Sequence, residues 1–313
     1  MRPDPNGIQS EGGPVTNPES AQSSYRVMRF RSWPAARRFG TAFPRHSQMP
    51  GGDQFWCFRG QSDESWGLET ALEREGKRCG LPPQGYADRE RLMLREFHRR
   101  GHLHGDRGPA DANAVELLAL VQHHGGSTRL LDFTYSFYVA CFFALESAEH
   151  DAAVWIVNLG ALRRAIARKE GFKEWGGLIA FSDWSLARCT DVLGRATTDS
   201  GIVLVDPYHM SERLAAQQGL FLFPLSIAAS FEENLIAALD LPAGCFADGG
   251  TCDYGDDDSF GMEIFVPKVM KVVLPREIHH VAMKDLRQTN ITAASLFPGL
   301  DGFARSLRWY LTP

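Results

Sequence analysis

Phe55-Trp56-Cys57-Phe58-Arg59-Gly60-Gln61-Ser62-Asp63 and Gln122-His123-His124-Gly125-Gly126-Ser127-Thr128-Arg129-Leu130-Leu131-Asp132-Phe133-Thr134 are the two stretches on which the reading of this chain turns. In the first, four apolar residues read as a short buried strand ending at Arg59-Gly60. In the second, a dense polar run sits between two apolar helical runs. Ala114 to Gln122 carries Val115, Leu117, Leu118, Leu120 and Val121 and is broken at Gly125-Gly126, and Phe137 to Glu146 is rich in Ala and Phe.

Outward from these, Tyr86 to Leu103 sets Leu92, Leu94 and Phe97 among charges, as a surface helix does. Ala153 to Val157, Ile202 to Val205, Leu220 to Phe223 and Lys271 to Leu274 read as buried strands. Strands interleaved with helices make a mixed α and β class. Met1 to Ser24 is Pro, Gly, Ser, Asn and Gln with almost nothing apolar, a tail that cannot offset its ordering entropy, so the folded domain is expected over residues 25–313. The acidic stretch Asp248 to Asp258 is expected to be a solvated loop, because its spacing does not match a Ca²⁺-binding EF-hand.

Composition bounds the function. With 313 residues, 44% of them hydrophobic, the chain can bury a sizeable core. A net charge of −5 argues against a surface built mainly to neutralise phosphates, although a local basic groove stays open. The six cysteines form no C-x-x-C and are expected to be reduced and structural. No run resembles a signal peptide or reaches bilayer-spanning length, so no membrane partner and a cytoplasmic location are expected.

Arg59 would emerge beside a bare glycine backbone, where a guanidinium fork suits a bidentate grip on phosphate or carboxylate. The alternative is an internal pair with a carboxylate such as Asp132. Adjacent His123 and His124 lack partner spacing for zinc, and Ser127-Thr128 lacks the G-x-S-x-G elbow of an activated nucleophile. Thr134 or Ser136 could cap the helix near Phe137. Gln217 and Gln218 precede Gly219 and an apolar strand, while Glu232, Glu233 and Glu263 lie near apolar segments without a partner that singles them out. No P-loop is present, and the glycine pairs lack a dinucleotide-fold context.

Phe58-Arg59-Gly60-Gln61-Ser62-Asp63 followed by Trp66 resembles the signature of the FRG domain family. The block from Gln122 to Ala144 resembles that family's Q-H-x-G-x-x-T-R-L-L-D-x-T stretch, and Gln217 to Phe221 and Thr289 to Gly302 look like further landmarks. An apolar strand ending in Arg-Gly, then a Ser-Thr segment, then a Gln heading a late strand, is similar in order to the arginine-serine-glutamate layout of ADP-ribosyltransferases. That second resemblance implies an α+β fold with a split, mostly antiparallel β core flanked by helices.

It also implies NAD as substrate, no metal, and a macromolecular acceptor, protein or nucleic acid, as in a toxin or anti-phage effector. Arg59, Gly60, Gln61, His124, Thr128, Arg129 and Asp132 would contact NAD, and Arg59, Thr128 and Gln218 would be catalytic. Gln218, or Gln217, stands where the catalytic glutamate stands in those enzymes. A neutral amide orients a ribose but cannot stabilise cationic charge as a carboxylate does. Gln218 itself, Glu263, Asp132 or no catalysis at all therefore stay open. A module that grips a phosphate-bearing ligand or nucleic acid without turnover, and a nuclease using His124 and Asp132, are the competing classes.

Overall fold

The computed structural model describes residues 25–41, 56–104, 113–171, 178–194, 197–247, 251–254 and 267–311. The expected tail and Glu263 lie outside the described residues. The strands are β1 (Tyr25–Phe30), β2 (Trp56–Gln61), β3 (Leu131–Thr134), β4 (Ala152–Asn158), β5 (Ile202–Val205), β6 (Gly219–Pro224), β7 (Thr251–Tyr254) and β8 (Val269–Leu274). The helices are α1 (Trp33–Thr41), α2 (Ala71–Arg78), α3 (Tyr86–Arg100), α4 (Ala114–His123), α5 (Phe137–Leu145), α6 (Leu159–Glu170) and α7 (Leu178–Gly194). They continue with α8 (Glu212–Ala216), α9 (Phe231–Leu239), α10 (His279–Gln288), α11 (Ala293–Leu296) and α12 (Leu300–Ser306).

The strands form one mixed sheet in the order β5-β6-β3-β2-β4-β8-β1-β7. Its junctions are antiparallel from β5 to β8, whereas β1 runs parallel to both β8 and β7. With helices on both faces the class is α+β, as expected.

Three strands were not legible beforehand. β7 falls inside the acidic stretch expected to be a loop, and there the expectation is corrected: Thr251 to Tyr254 pairs in register with Val27 to Phe30. Its polar residues are those an edge strand tolerates, and Asp253 meets Arg31 at 3.0 Å. β1 is interrupted by Arg26 and Arg29. β3 buries Leu131, Phe133 and Thr134 around an exposed Asp132, too short an alternation to stand out in a polar run.

β2 also runs further than its apolar residues suggested. Its ladder with β4 continues through Arg59↔Trp155 and Gly60↔Val154 to Gln61↔Ala153, so Arg59 lies within a strand and not at its end.

The core occupies both faces of the sheet. Phe58, Val154, Ile156 and Val272 face α1, α5 and α10, where Phe39, Phe137 and Ala282 are buried. Cys57, Trp155, Val157, Leu204 and Leu222 face α6 and α9. A third cluster packs Val115 and Leu118 of α4 and Cys189 of α7 on Val203, Val205 and Phe223. The helices begin where their caps say they should. Asn113 and Glu116 form a capping box on α4, and the Ser136 hydroxyl accepts from Val139 N on α5 at 3.3 Å. No helix among the described residues is long and apolar enough to cross a membrane.

One junction decides where a site can form. β2 shares six paired positions with β4 but a single one with β3, Phe58↔Thr134. Beyond that pair the two strands part, and the sheet opens.

Candidate functional site

The opening is a cleft of about 840 Å³, within the usual range of small-molecule sites. Its walls come from β2 with the loop through Trp66, from Asp132 to Thr134 of β3, from α4, and from His209 to Gln217 around α8. Phe58, Trp66, Phe133, Phe143 and Phe221 supply apolar wall, and Arg59, Arg74 and Arg213 supply three guanidiniums.

Arg59 Nη1 donates to the backbone carbonyl of Asp132 at 2.8 Å. The internal pair that was the alternative reading therefore exists only through the main chain, and Arg59 still lines the cleft. Its Nε is buried and, among the described residues, has no hydrogen-bond partner. Burial pulls the Arg59 guanidinium below its ordinary value, nearby Asp132 opposing and Arg74 reinforcing that shift. An arginine tolerates such a shift and stays charged. Arg74 donates to Glu69 O at 2.6 Å, and Arg213 lies over the Phe297 ring at 4.6 Å.

Of the cleft's carboxylates, Glu69 is held by Lys77, and Glu116 is 2.8 Å from His209 Nδ1. Asp132 is exposed and makes no side-chain ion pair among the described residues. It is the carboxylate in a position to face a bound cation.

The residues expected to form the site divide into two groups. Arg59, Gly60, Gln61, Asp132 and Gln217 line the cleft. Within it, Gln61 is committed to structure: its Nε2 donates to Gly67 O at 2.9 Å, and its Oε1 accepts from Trp155 Nε1 at 2.8 Å. Gly60 is a glycine because α5 crosses it. A Cβ there would lie 2.0 Å from the Ala140 carbonyl oxygen and 2.5 Å from Ala144 N. Its bare face admits a helix.

Thr128, Arg129, His124 and Gln218 do not line the cleft. Thr128 is fully buried, donates to Gln122 Oε1 and accepts from Leu130 N at 3.1 Å, a turn-forming hydroxyl. Arg129 is buried against Glu90, with Nε 2.9 Å from both carboxylate oxygens, and sits over Phe223 at 4.9 Å. His124 is an exposed helix cap packed edge-on against His123. Gln218 is exposed with φ +49°, and its carbonyl accepts from Tyr135 N at 2.9 Å.

Two pairs in the cleft were not foreseen. Thr134 Oγ1 donates to Gln217 O at 2.7 Å and ties β3 to the turn before β6. The second pair is Glu116 with His209, in which the only sequence signal is Asn113-x-x-Glu116 as a capping box; nothing marks His209. Among the described residues no group of three or more His, Cys, Asp or Glu could hold a metal ion.

Comparison with curated proteins and with solved structures finds no match. The family model of the FRG domain matches residues 54–153. That segment holds β2 with Arg59, β3 with Asp132, and the α5 helix that Gly60 admits. Residues 54–153 are thus similar to the FRG domain.

Proposed function

We propose that the cleft binds NAD and that the protein cleaves it, transferring ADP-ribose to a macromolecular acceptor. The observation that carries the reading is the convergence of Arg59, Arg74 and Arg213 with the Asp132 carboxylate on one cleft at the split of the sheet. Guanidiniums suit the pyrophosphate, and aromatic wall suits the planar rings. A carboxylate not held in an ion pair suits the oxocarbenium-like ribose that forms as nicotinamide departs. Asp132 takes that part in place of Gln218, which lies outside. An activity of this type fits a toxin or anti-phage effector.

Nicotinamide release from NAD by the purified protein tests the reading, beside Arg59→Ala and Asp132→Asn. Arg59→Ala is expected to lose NAD affinity. Asp132→Asn is expected to bind NAD yet release nicotinamide about 10²–10³-fold more slowly, the range for loss of one preorganised charge-stabilising group. Absence of nicotinamide release by the wild-type protein, with acceptors supplied, would sink it.

A second reading is binding of a phosphate-bearing ligand without turnover, favoured by the position of Thr128 and Gln218 outside the cleft. It expects affinity that falls with salt, no nicotinamide release, and tighter binding in Asp132→Asn, because a negative charge near the phosphates is removed.

A further inference from the structure

We propose that Glu116 and His209 form the acid–base pair of the cleft and that the group accepting ADP-ribose is a hydroxyl; this rests on the NAD-cleaving reading above. Both side chains line the same cleft as Arg59 and Asp132. His209 Nδ1 is 2.8 Å from Glu116 Oε1, in a pair whose His side chain is 50% exposed while the Glu side chain is 5% exposed.

What fixes the chemistry is that both oxygens of Glu116 are used. Oε2 accepts from Asn113 N at 3.1 Å, the reciprocal half of the capping box that starts α4. Oε1 is left to His209. An ionised carboxylate only accepts, so Nδ1 of a neutral His209 must carry the proton. Nε2 is then the unprotonated nitrogen, on a ring that is half exposed in the cleft, and it can take a proton from a bound acceptor. The helix cap holds the carboxylate, and the carboxylate sets the tautomer.

An imidazole base matches an acceptor that must lose a proton as it attacks. A hydroxyl does; a carboxylate or thiolate already carries its nucleophilic charge. In the step, the bond between the ribose C1′ and the nicotinamide nitrogen breaks, and nicotinamide leaves with the bonding pair. The acceptor oxygen bonds to C1′, its proton passes to His209 Nε2 and then to water, and Asp132 stays ionised throughout. Nothing is oxidised or reduced.

Glu116→Gln is the informative substitution. Its amide oxygen can keep the cap bond to Asn113 N, which leaves the NH₂ to face His209. Nδ1 must then accept, Nε2 carries the proton, and the base is disabled while the helix start is kept. The experiment uses the full chain with NAD and two acceptors, water and methanol, and follows nicotinamide release and the methyl ADP-riboside by mass.

Glu116→Gln and His209→Ala are expected to lower kcat about 10²–10⁴-fold for both acceptors, with the KM for NAD little changed. The double variant should be no slower than the worse single one, because the pair acts as a unit. Added imidazole should restore turnover to His209→Ala and not to Glu116→Gln, a difference that a purely structural role would not produce. Wild-type rates in both variants would overturn the assignment alone, as would a raised KM with kcat intact or His209→Ala unrescued by imidazole. A wild-type protein that releases no nicotinamide would overturn the NAD-cleaving reading and this assignment with it.

Discussion

Arg59 on β2 donates to the main-chain carbonyl of Asp132 on β3 at 2.8 Å, across two strands that share a single ladder position. The guanidinium thus stands in for backbone pairing where the sheet parts, and it does so from the wall of the cleft. Because the bond is to the carbonyl, the Asp132 side chain takes no part in it. Arg59→Ala should therefore cost about 1.5–3 kcal/mol, the range for a hydrogen bond from a charged group. Asp132→Asn should leave stability within about 0.5 kcal/mol of wild type. Urea unfolding of the two variants measures this, and equal destabilisation by both would place the carboxylate, and not the carbonyl, in the contact.

Arg129 and Glu90 predict the opposite phenotype. Their side chains are 5% and 1% exposed, and the fork is satisfied inside the protein. Removing either partner strands a buried charge, so Arg129→Ala or Glu90→Ala should cost about 3–5 kcal/mol. Arg129→Met with Glu90→Leu should recover much of that loss. NAD affinity of the folded protein should be unchanged in all three, since neither residue lines the cleft; a specific loss of affinity in the double variant would return Arg129 to the site.

These two arginines show what the sequence carried and what it did not. Helices with an apolar run, such as α4 and, after its Ser136 cap, α5, were legible because each signal is local. Central strands such as β4, buried at every position, announced themselves by apolar runs. β1 and β7 did not, because arginines and aspartates interrupt strands at and near a sheet edge. The polar run from Gln122 to Thr134 is dense in hydrogen-bonding groups, but density does not say which way a side chain turns. Asp132 faces the cleft, while Thr128 and Arg129 turn inward to Gln122 and Glu90. The partners that decide this lie up to 39 positions away. His209 meets Glu116 across 93 positions, with nothing local to mark it.

Gln218 offers a direct check on the difference between sequence order and place. It holds a left-handed backbone at φ +49° and is exposed outside the cleft. Gln218→Gly relieves about 1–2 kcal/mol of strain and gives back about 0.5–1 kcal/mol through greater freedom of the unfolded chain. The variant should be unchanged or more stable by up to about 1.5 kcal/mol, with nicotinamide release at the wild-type rate. A loss of release beyond tenfold, with stability intact, would restore the catalytic role that its position in the sequence suggests.

Alkaline pH should weaken the fold through its buried thiols. Burial pushes Cys57 and Cys141 well above the ordinary thiol range, Asp206 adding to the effect at Cys57. Below the unfolded value of about 8.5, both states hold these protons and stability does not change on their account. Above it the unfolded chain ionises while the folded chain cannot, so each thiol costs about 1.4 kcal/mol per pH unit until its raised folded value is reached. Urea unfolding at pH 7.5, 8.5 and 9.5 should show a falling stability. Cys57→Ala with Cys141→Ala should flatten the fall between pH 8.5 and 9.5 by about 2 kcal/mol, and an unchanged slope would remove both thiols from the cause.

Gly60 ties the cleft to the packing behind it. The strand that presents Arg59 on one side receives α5 on the other so closely that a methyl group would meet backbone atoms, Ala140 O at 2.0 Å and Ala144 N at 2.5 Å. Backbone cannot turn aside as a side chain does, so either the helix lifts or the strand bends. Gly60→Ala should cost about 3 kcal/mol or more, at or beyond the upper end for overpacking. If the strand gives way, Arg59 moves with it, and NAD affinity should fall in the fraction that stays folded. If the helix gives way, affinity should hold while α5 exchanges its amide hydrogens faster. Hydrogen exchange read beside NAD titration separates the two, and a Gly60→Ala protein as stable as wild type would mean that this contact does not set the geometry of β2.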